Sequence, residues 1–217
     1  MQTVNLYTMQ HKDSLHELKK NKRIINEERF IRMNLGSTGD YIIPQYRIFS
    51  SLAKKIVERP KDVIFPIWCG VTKQSSFVGE KGHVIYCLTV PVDEVIYFDG
   101  GKWDYVLNNL YIPKDAEDAE AYAKELEDLG IESQYGLLTD HGGMYPQIYQ
   151  KIRDSWERLF VIDDWNQYII QANLWEIKEE WVRHVVSYGE NLYEVASDME
   201  DIFPPQFVLE QQNEADQ

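Results

Sequence analysis

The sequence predicts an α+β fold, because segments of helical and of strand character both occur but do not alternate regularly along the chain. Residues 45–60 repeat apolar side chains at helical spacing and stop at Pro60. Three later runs, 62–72, 83–91 and 94–100, are rich in β-branched and aromatic residues and are bounded by Gly and Pro. We therefore expect mixed, mostly antiparallel central sheets, with these three runs at the centre and amphipathic helices on the flanks.

The N-terminal part predicts one strand, one helix and a long irregular stretch. Residues 4–9 alternate weakly between apolar and polar, which favours a first strand. Residues 11–21 follow with helical spacing of their leucines. Residues 22–45 are expected to be irregular, with a loop at "NLGSTGD" (34–40).

The C-terminal half predicts further helices and two last strands. Segment 101–113 is expected to start with a short helix, and 115–130 favours a helix with acids at its start and Gly130 at its end. Another amphipathic helix is expected before the last two strands, which lie near 167–176 and 181–187.

The net charge of −14 is confined to two segments. Residues 190–217 contain eight acids and no Lys or Arg, and 114–132 contain eight acids and two Lys, so the remaining residues are formally neutral. Non-specific binding to the nucleic-acid backbone needs clustered Lys and Arg, so this distribution argues against it. We expect one α+β domain over 1–189 and a mobile acidic C-terminal segment over 190–217.

The two cysteines, Cys69 and Cys87, lie in apolar strand-like runs, which favours buried, reduced thiols over a disulfide. The sequence has no apolar signal segment and no run of 18 apolar residues, so we expect a soluble, cytoplasmic protein. The five histidines are far apart and lack metal-ligand spacing, so no metal is expected.

The sequence contains no Gly-rich dinucleotide motif, no P-loop and no Gly-x-Ser-x-Gly elbow. The hydroxyls of "QSSF" (74–77) are interpreted as ordinary loop serines, and "DHGG" (140–143) as a solvated turn or a lid. Core packing of Trp156 beside a surface charge pair explains "DSWERLF" (154–160).

Glu176 is the residue for which a chemical role is most open. A carboxylate on the inward face of a strand loses its hydration unless it is paired or borders a cavity, and such groups are candidates for function. The alternative is that the strand ends at Trp175 and that Glu176 begins a charged turn. If 169–176 form one strand, Glu176 shares the apolar, inward face with Ile170, Ala172 and Leu174.

Five blocks of the sequence resemble a bacterial and phage family that is described as a domain of unknown function. They are "LYTMQ" (6–10), "FPIWCGV" (65–71), the run 88–113, "DSWERLF" (154–160) and "IQANLWEIKEEWVRHV" (170–185). The blocks extend over nearly the whole expected domain. The resemblance implies membership of that family, but no activity.

In the order of its elements the chain is also similar to ADP-ribosyltransferase-like domains. The similarity lies in a first strand beginning "LYTMQ", the helix "DSLHELKKN", a strand ending in "VP" and a late strand with a carboxylate. Such domains bind NAD in a cleft between two small sheets. A polar residue on the first strand holds the nicotinamide-side ribose or amide, and a late glutamate stabilises the positive charge that develops on the sugar as nicotinamide leaves.

Transferred to this chain, the second resemblance implies that Glu176 is the catalytic carboxylate. It implies that Tyr7 or Thr8 occupies the first-strand position, with Gln10 and Gln171 as polar supports. Rings around nicotinamide would be supplied by Tyr46, Trp68 and Tyr86.

We therefore expect an ADP-ribosyltransferase-like enzyme that uses NAD as a substrate and transfers ADP-ribose to a macromolecular or small-molecule acceptor. The alternative is a non-catalytic acidic interaction protein, such as a phage or bacterial defence or counter-defence factor. Its negative field would steer it towards a basic protein partner. Neither hypothesis involves a membrane.

Overall fold

The chain divides into two compact units. The first comprises Met1–Tyr97 and Asp164–Gln217, and the second comprises Phe98–Asp163. The computed structural model describes residues 2–132, 134, 137 and 143–208.

The first unit is built on two three-stranded sheets and one two-stranded ribbon. In the first sheet β4 (His83–Pro91) lies between β1 (Thr3–His11) and β8 (Val182–Ser187), and both pairs are antiparallel. In the second sheet β6 (Ile170–Leu174) lies between β3 (Ile67–Cys69) and β5 (Ile96–Asp99). The ribbon pairs β2 (Arg23–Ile25) with β7 (Glu176–Lys178), antiparallel.

The two three-stranded sheets bury one face each in a common core. Leu6 and Leu88 enter this core from the first sheet, and Ile67 and Leu174 enter it from the second. Successive side chains of a strand point to opposite faces, so every second residue of these strands is available for packing. The inward orientation predicted for Ile170, Ala172 and Leu174 is confirmed, because all three are at most 1% exposed.

The other face of the first sheet is covered by the C-terminal segment, which includes a short helix, Leu192–Val195. Tyr7 and Cys87, which are partners in the β1–β4 register, pack there against Ala196 and Met199. The segment 190–217, expected to be mobile, is described up to residue 208, and its Ala196 and Met199 are 0% and 5% exposed. Residues 209–217 lie outside the described residues.

The first unit also contains three helices, which lie between β1 and β3 in the sequence. They are α1 (Ser14–Asn21), α2 (Glu28–Leu35) and α3 (Gly39–Ala53). Ile31 of α2, Ile43 of α3 and the nearby Phe65 form a small apolar cluster. The helix α1 ends where Lys22 adopts φ +60°, and its backbone N–H donates to the Leu18 carbonyl.

The second unit is helical in its described part. It contains α4 (Gly100–Leu107), α5 (Ala116–Asp128) and α6 (Pro146–Ser155), and a 3-10 helix, Trp156–Phe160, continues α6. Asp115 caps α5 by accepting the backbone N–H of Asp118 at 2.8 Å. The Trp156 ring is 1% exposed and its Nε1 donates to the Leu110 carbonyl, as core packing requires.

The structure confirms the α+β class with antiparallel sheets, and it corrects two details. The stretch 22–45 is not irregular, because it contains β2, α2 and the first turns of α3. The three strand-like runs do not form one sheet centre, because β4 belongs to the first sheet, whereas β3 and β5 belong to the second. Short elements such as β2 give a weak periodic signal, and sheet membership depends on partners that are distant in sequence.

The cysteines are as expected: Cys69 and Cys87 are both free and buried. Burial raises the pKa of each thiol to about 12, so both are protonated at neutral pH. Among the residues described, no helix combines the length and the apolar character that crossing a membrane needs.

Candidate functional site

A cleft of about 1320 Å³ opens in the first unit. Its walls come from the end of β1, from α1, from the segment running through β2 and α2, from one residue of α3 and from two residues of β3. Among the bordering residues are Gln10, Arg23, Tyr46, Trp68, Phe77 and His83. Three of the predicted cofactor-binding residues, Gln10, Tyr46 and Trp68, therefore meet in one place.

The β1 side of the cleft is organised by Thr8. Thr8 is fully buried, and its hydroxyl donates to the Trp68 carbonyl at 2.7 Å. The same hydroxyl oxygen accepts from Gln10 Nε2 at 2.9 Å. Residues two apart on a strand share a face, so Thr8 holds Gln10 while Gln10 borders the cleft.

The aromatic side of the cleft is formed by Tyr46 of α3 and Trp68 of β3. Their rings are stacked, with centroids 4.6 Å apart and planes at 20°. Phe49 tilts against Trp68 at 5.3 Å and is fully buried, so it anchors α3 on this face of the sheet. Burial raises the pKa of Tyr46, so its phenol stays neutral at neutral pH.

Glu176 does not lie on β6. The strand ends at Leu174, Trp175 bends the chain, and Glu176 begins β7, where it pairs with Ile25 of β2. The prediction of one strand over 169–176 is therefore wrong. The alternation of side chains along β6 does not determine the direction of the Glu176 side chain, because Glu176 belongs to another strand. Trp175 breaks the strand by turning inward, where its Nε1 donates to the Val57 carbonyl at 3.0 Å.

The Glu176 carboxylate lies between two cations. Its Oε2 is 3.1 Å from Arg23 Nη1, and its Oε1 is 3.8 Å from Lys178 Nζ. Arg23 also contacts Asp62, and Lys178 contacts Glu94, so five groups of alternating charge follow one another. The Glu176 side chain is 13% exposed, which is low for a carboxylate and is compensated by these two cations.

Glu176 contacts a residue that borders the cleft, Arg23, but does not itself border it. Arg23 borders the cleft, whereas Glu176 is not among the bordering residues. Glu176 Oε2 is buried and accepts no hydrogen bond from the described residues, since the close contact with Arg23 does not have hydrogen-bond geometry. The carboxylate therefore keeps an acceptor site that the described part of the protein does not use.

The other predicted site residues lie elsewhere. Tyr7 is on the opposite face of β1, where its hydroxyl donates to Asp201 Oδ1 at 2.6 Å. Tyr86 shares a hydrogen bond of 2.8 Å with Ser14, which does border the cleft. Gln171 lies on β6, half-buried and away from the cleft lining. The binding roles assigned to these residues stay predictions.

Two residues of this region were not singled out from the sequence. Arg23 lies in β2 and borders the cleft, within the stretch 22–45 that was expected to be irregular. Asn173 is fully buried opposite Trp68, and its Nδ2 donates to the Ile67 carbonyl at 3.1 Å. Its Oδ1 has no hydrogen-bond partner among the residues that the structure describes. An amide within an apolar strand is the one sequence signal that could have marked Asn173.

Three of the five histidines border the cleft. His11 and His83 are partners in the β1–β4 register, with ring centroids 5.5 Å apart, and His16 borders the same cleft. No group of three His, Cys, Asp or Glu side chains within the described ranges has the arrangement of a metal site. Residues 140–142 of "DHGG" lie outside the described residues, so a lid there stays a prediction.

A second cavity, of about 720 Å³, lies within the second unit and is bordered by Tyr105, Tyr111 and Tyr122. Tyr111 and Tyr122 stack at 4.2 Å, and Lys151 lies 5.6 Å from each ring. None of the predicted site residues borders this cavity.

A family model described as "Domain of unknown function (DUF3841)" matches residues 5–183, which is most of the chain. The chain belongs to this family. The matched range includes β3, β4, β5 and β6, most of β1 and the whole border of the cleft, so the cleft lies within the part of the chain that the family model matches. Neither the curated proteins nor the solved structures contain a match.

Proposed function

We propose that the cleft of the first unit binds NAD and that the protein transfers ADP-ribose from it to an acceptor. The observation that supports this most directly is the meeting of Gln10, Tyr46 and Trp68 at one cleft. These residues are far apart in the sequence, and the resemblance to ADP-ribosyltransferase-like domains implies that all three bind NAD. The proposal includes an ADP-ribosyltransferase-like assignment for the two packed sheets.

The size and surface of the cleft suit a dinucleotide. Ligand sites for drug-sized molecules occupy roughly 300–1,000 Å³, and this cleft is larger. The stacked pair of Tyr46 and Trp68 offers an apolar aromatic wall for a flat ring. Arg23 and Arg29 also border the cleft, and guanidinium groups suit a diphosphate.

The reaction breaks the bond between nicotinamide nitrogen and the ribose carbon. The electron pair of that bond leaves with nicotinamide, and positive charge develops on the sugar. The acceptor nucleophile then forms a bond to the same carbon and releases a proton to solvent. A preplaced carboxylate stabilises the developing cation more than the ground state, which lowers the barrier.

Glu176 is the carboxylate that we propose for this role, and Arg23 controls access to it. Arg23 borders the cleft and its Nη1 lies 3.1 Å from Glu176 Oε2. A diphosphate that attracts Arg23 would draw it from Glu176 and leave Oε2 free to accept from a ribose hydroxyl. The unused acceptor site of Oε2 supports this proposal.

Calorimetric titration of the full chain with NAD, combined with an assay of nicotinamide release, tests the proposal. We expect micromolar binding and turnover by the wild type. Glu176→Gln should keep NAD binding and lose nearly all turnover. Glu179→Gln is the matched control, since Glu179 is an exposed residue of the same strand end paired with Lys22. Equal turnover by both variants would reject the role of Glu176.

The rival function, binding of a basic protein partner, is favoured by one observation. Five carboxylates border the cleft but only two arginines do, namely Asp13, Glu17, Glu27, Asp62 and Glu80 against Arg23 and Arg29. Such a surface attracts cations and opposes polyanions. Absence of any heat with NAD, together with salt-sensitive binding of a Lys- and Arg-rich peptide, would support the rival instead.

A further inference from the structure

The hydrogen bonds around Thr8 determine which atom of Gln10 is offered to a ligand. The Trp68 carbonyl can only accept, so the 2.7 Å contact uses the single hydroxyl proton of Thr8. The Thr8 oxygen can then only accept in its second contact, at 2.9 Å with Gln10. The partner atom on Gln10 must therefore be the amide nitrogen.

The orientation of the Gln10 amide therefore follows from which of these atoms can donate and which can only accept. The two ends of a glutamine side chain are similar in shape, and their assignment depends on the surrounding hydrogen bonds. Here a main-chain carbonyl, which has no proton to give, sets the direction of both bonds. Because Thr8 is fully buried, water does not compete for its hydroxyl.

Gln10 Oε1 is consequently the atom left for a ligand. In the part of the chain that the structure describes, no group donates to this oxygen. Gln10 is half-buried and borders the cleft together with Trp68, whose main chain ends the same chain of hydrogen bonds. An amide carbonyl beside an aromatic wall fits a flat ring that carries an N–H donor.

We propose that Gln10 Oε1 selects ligand rings bearing an exocyclic N–H₂ group. The proposal rests on NAD binding in this cleft, and it specifies which group of the ligand Gln10 recognises. Two rings of NAD carry such a group: nicotinamide has its carboxamide, and adenine has its 6-amino group. Thr8 is a positioning residue, because it acts through Gln10 and does not itself border the cleft.

Replacing the N–H₂ group by oxygen places one acceptor against another. A buried acceptor without a donor weakens binding by roughly 10- to 100-fold, and sites that read a ligand N–H discriminate strongly against analogues that lack it. We expect a loss of at least about tenfold for the analogue changed at the ring that Gln10 contacts, and little change for the other analogue.

The experiment is calorimetric titration of the full chain with NAD, with its nicotinic acid analogue and with its hypoxanthine analogue. Nicotinamide, nicotinic acid, adenosine and inosine are titrated separately. A preference at the nicotinamide end identifies the carboxamide as the group that is read, and a preference at the adenine end identifies the amino group. Equal affinity for NAD and both analogues overturns the inference while leaving NAD binding intact.

Variants distinguish recognition of the N–H₂ group by Gln10 from a general change in the structure of the cleft. Thr8→Val removes the hydroxyl that orients the amide. The ratio of the affinities for NAD and for its oxygen analogue should therefore fall towards one, while NAD still binds. Thr8→Ser keeps the hydroxyl and should keep the preference, which guards against a loss caused by misfolding. Gln10→Met removes the acceptor oxygen and should abolish the preference, and Gln2→Met, at an exposed position before β1, should not.

The outcomes for the two proposals are distinct. If NAD is not bound but adenosine or nicotinamide is preferred over its oxygen analogue, the inference stands and ADP-ribose transfer fails. If no compound binds at any concentration tested, both are overturned. A preference that Thr8→Val and Gln10→Met leave unchanged overturns the role of Gln10.

Discussion

Tyr7 and Thr8 are neighbours on β1, yet they belong to two regions of the protein with different character. The Tyr7 hydroxyl donates to Asp201, whose second oxygen accepts the backbone N–H of Lys73 at 2.8 Å. The Lys73 ammonium donates to the Met199 carbonyl and lies 5.6 Å from the Tyr7 ring. On the other face, the Thr8 hydroxyl oxygen accepts a hydrogen bond from Gln10 Nε2. The side-chain oxygen of Gln10, Oε1, accepts none from the described residues.

The difference separates polar groups that stabilise the fold from polar groups that are available to a ligand. On the Tyr7 face, the Tyr7 hydroxyl and both oxygens of Asp201 have partners within the protein, and the C-terminal segment covers this region. On the Gln10 face, one acceptor borders a cleft. Changes on the first face should therefore lower the free energy of unfolding, whereas changes on the second should mainly alter binding.

Deleting residues 190–217 should have the largest effect on this comparison. The deletion removes Ala196 and Met199 from the second apolar cluster and removes Asp201 from Tyr7 and Lys73. We expect a loss on the order of 5 kcal/mol, comparable with the whole stability of a small protein. Urea unfolding followed by circular dichroism measures it. A deletion of 209–217 alone is the control, and equal stability of both shortened chains would contradict the comparison.

Asp201→Ala should have the next largest effect. It leaves the buried Tyr7 hydroxyl and the Lys73 backbone N–H without their acceptor. The expected loss is about 2–3 kcal/mol in the free energy of unfolding. Glu200→Ala removes the same charge from the adjacent, exposed residue and should cost little. If the two variants unfold at the same urea concentration, Asp201 does not anchor the segment.

Tyr7→Phe should cost about 1 kcal/mol near neutral pH and should change the response to alkali. Burial, followed by the hydrogen bond to Asp201, raises the pKa of Tyr7 above its usual value near 10. The folded state thus holds this proton more tightly than the unfolded state does. Its contribution to stability is complete below about pH 10 and is lost as the pH rises further.

Urea unfolding of wild type and Tyr7→Phe between ~pH 8 and ~pH 11 measures this effect. The wild type should lose stability more steeply above pH ~10, by up to about 1.4 kcal/mol per pH unit more than the variant. Other buried tyrosines titrate in both proteins, so the difference isolates Tyr7. Parallel curves would show that Tyr7 ionises equally well in both states.

Gln10→Met should have the smallest effect on stability. The side chain is half-buried, and the change removes one hydrogen bond at the cleft. We expect the free energy of unfolding to change by less than about 0.5 kcal/mol, as measured by urea unfolding. A loss as large as that of Asp201→Ala would mean that both faces of β1 serve stability alike.

Much of the fold follows from local patterns. The helix over 116–128 and the strand over 83–91 were predicted almost to the residue, because each has a strong period and clear end signals. The short strands β2 and β7 were missed, because three residues show no period and pair only with each other. Their pairing brings Arg23 to Glu176, so this part of the site had no local signal.

The sequence by itself determined the α+β class, the membership of the family and the set of residues that contained Gln10, Tyr46 and Trp68. Only the tertiary structure decided which of these residues meet, that Tyr7 points away from the cleft, and that Glu176 lies between Arg23 and Lys178. The physical reason is that side-chain direction on a strand reverses at every residue. A one-residue difference in register therefore exchanges the two faces, and the partners that set the register are distant in sequence.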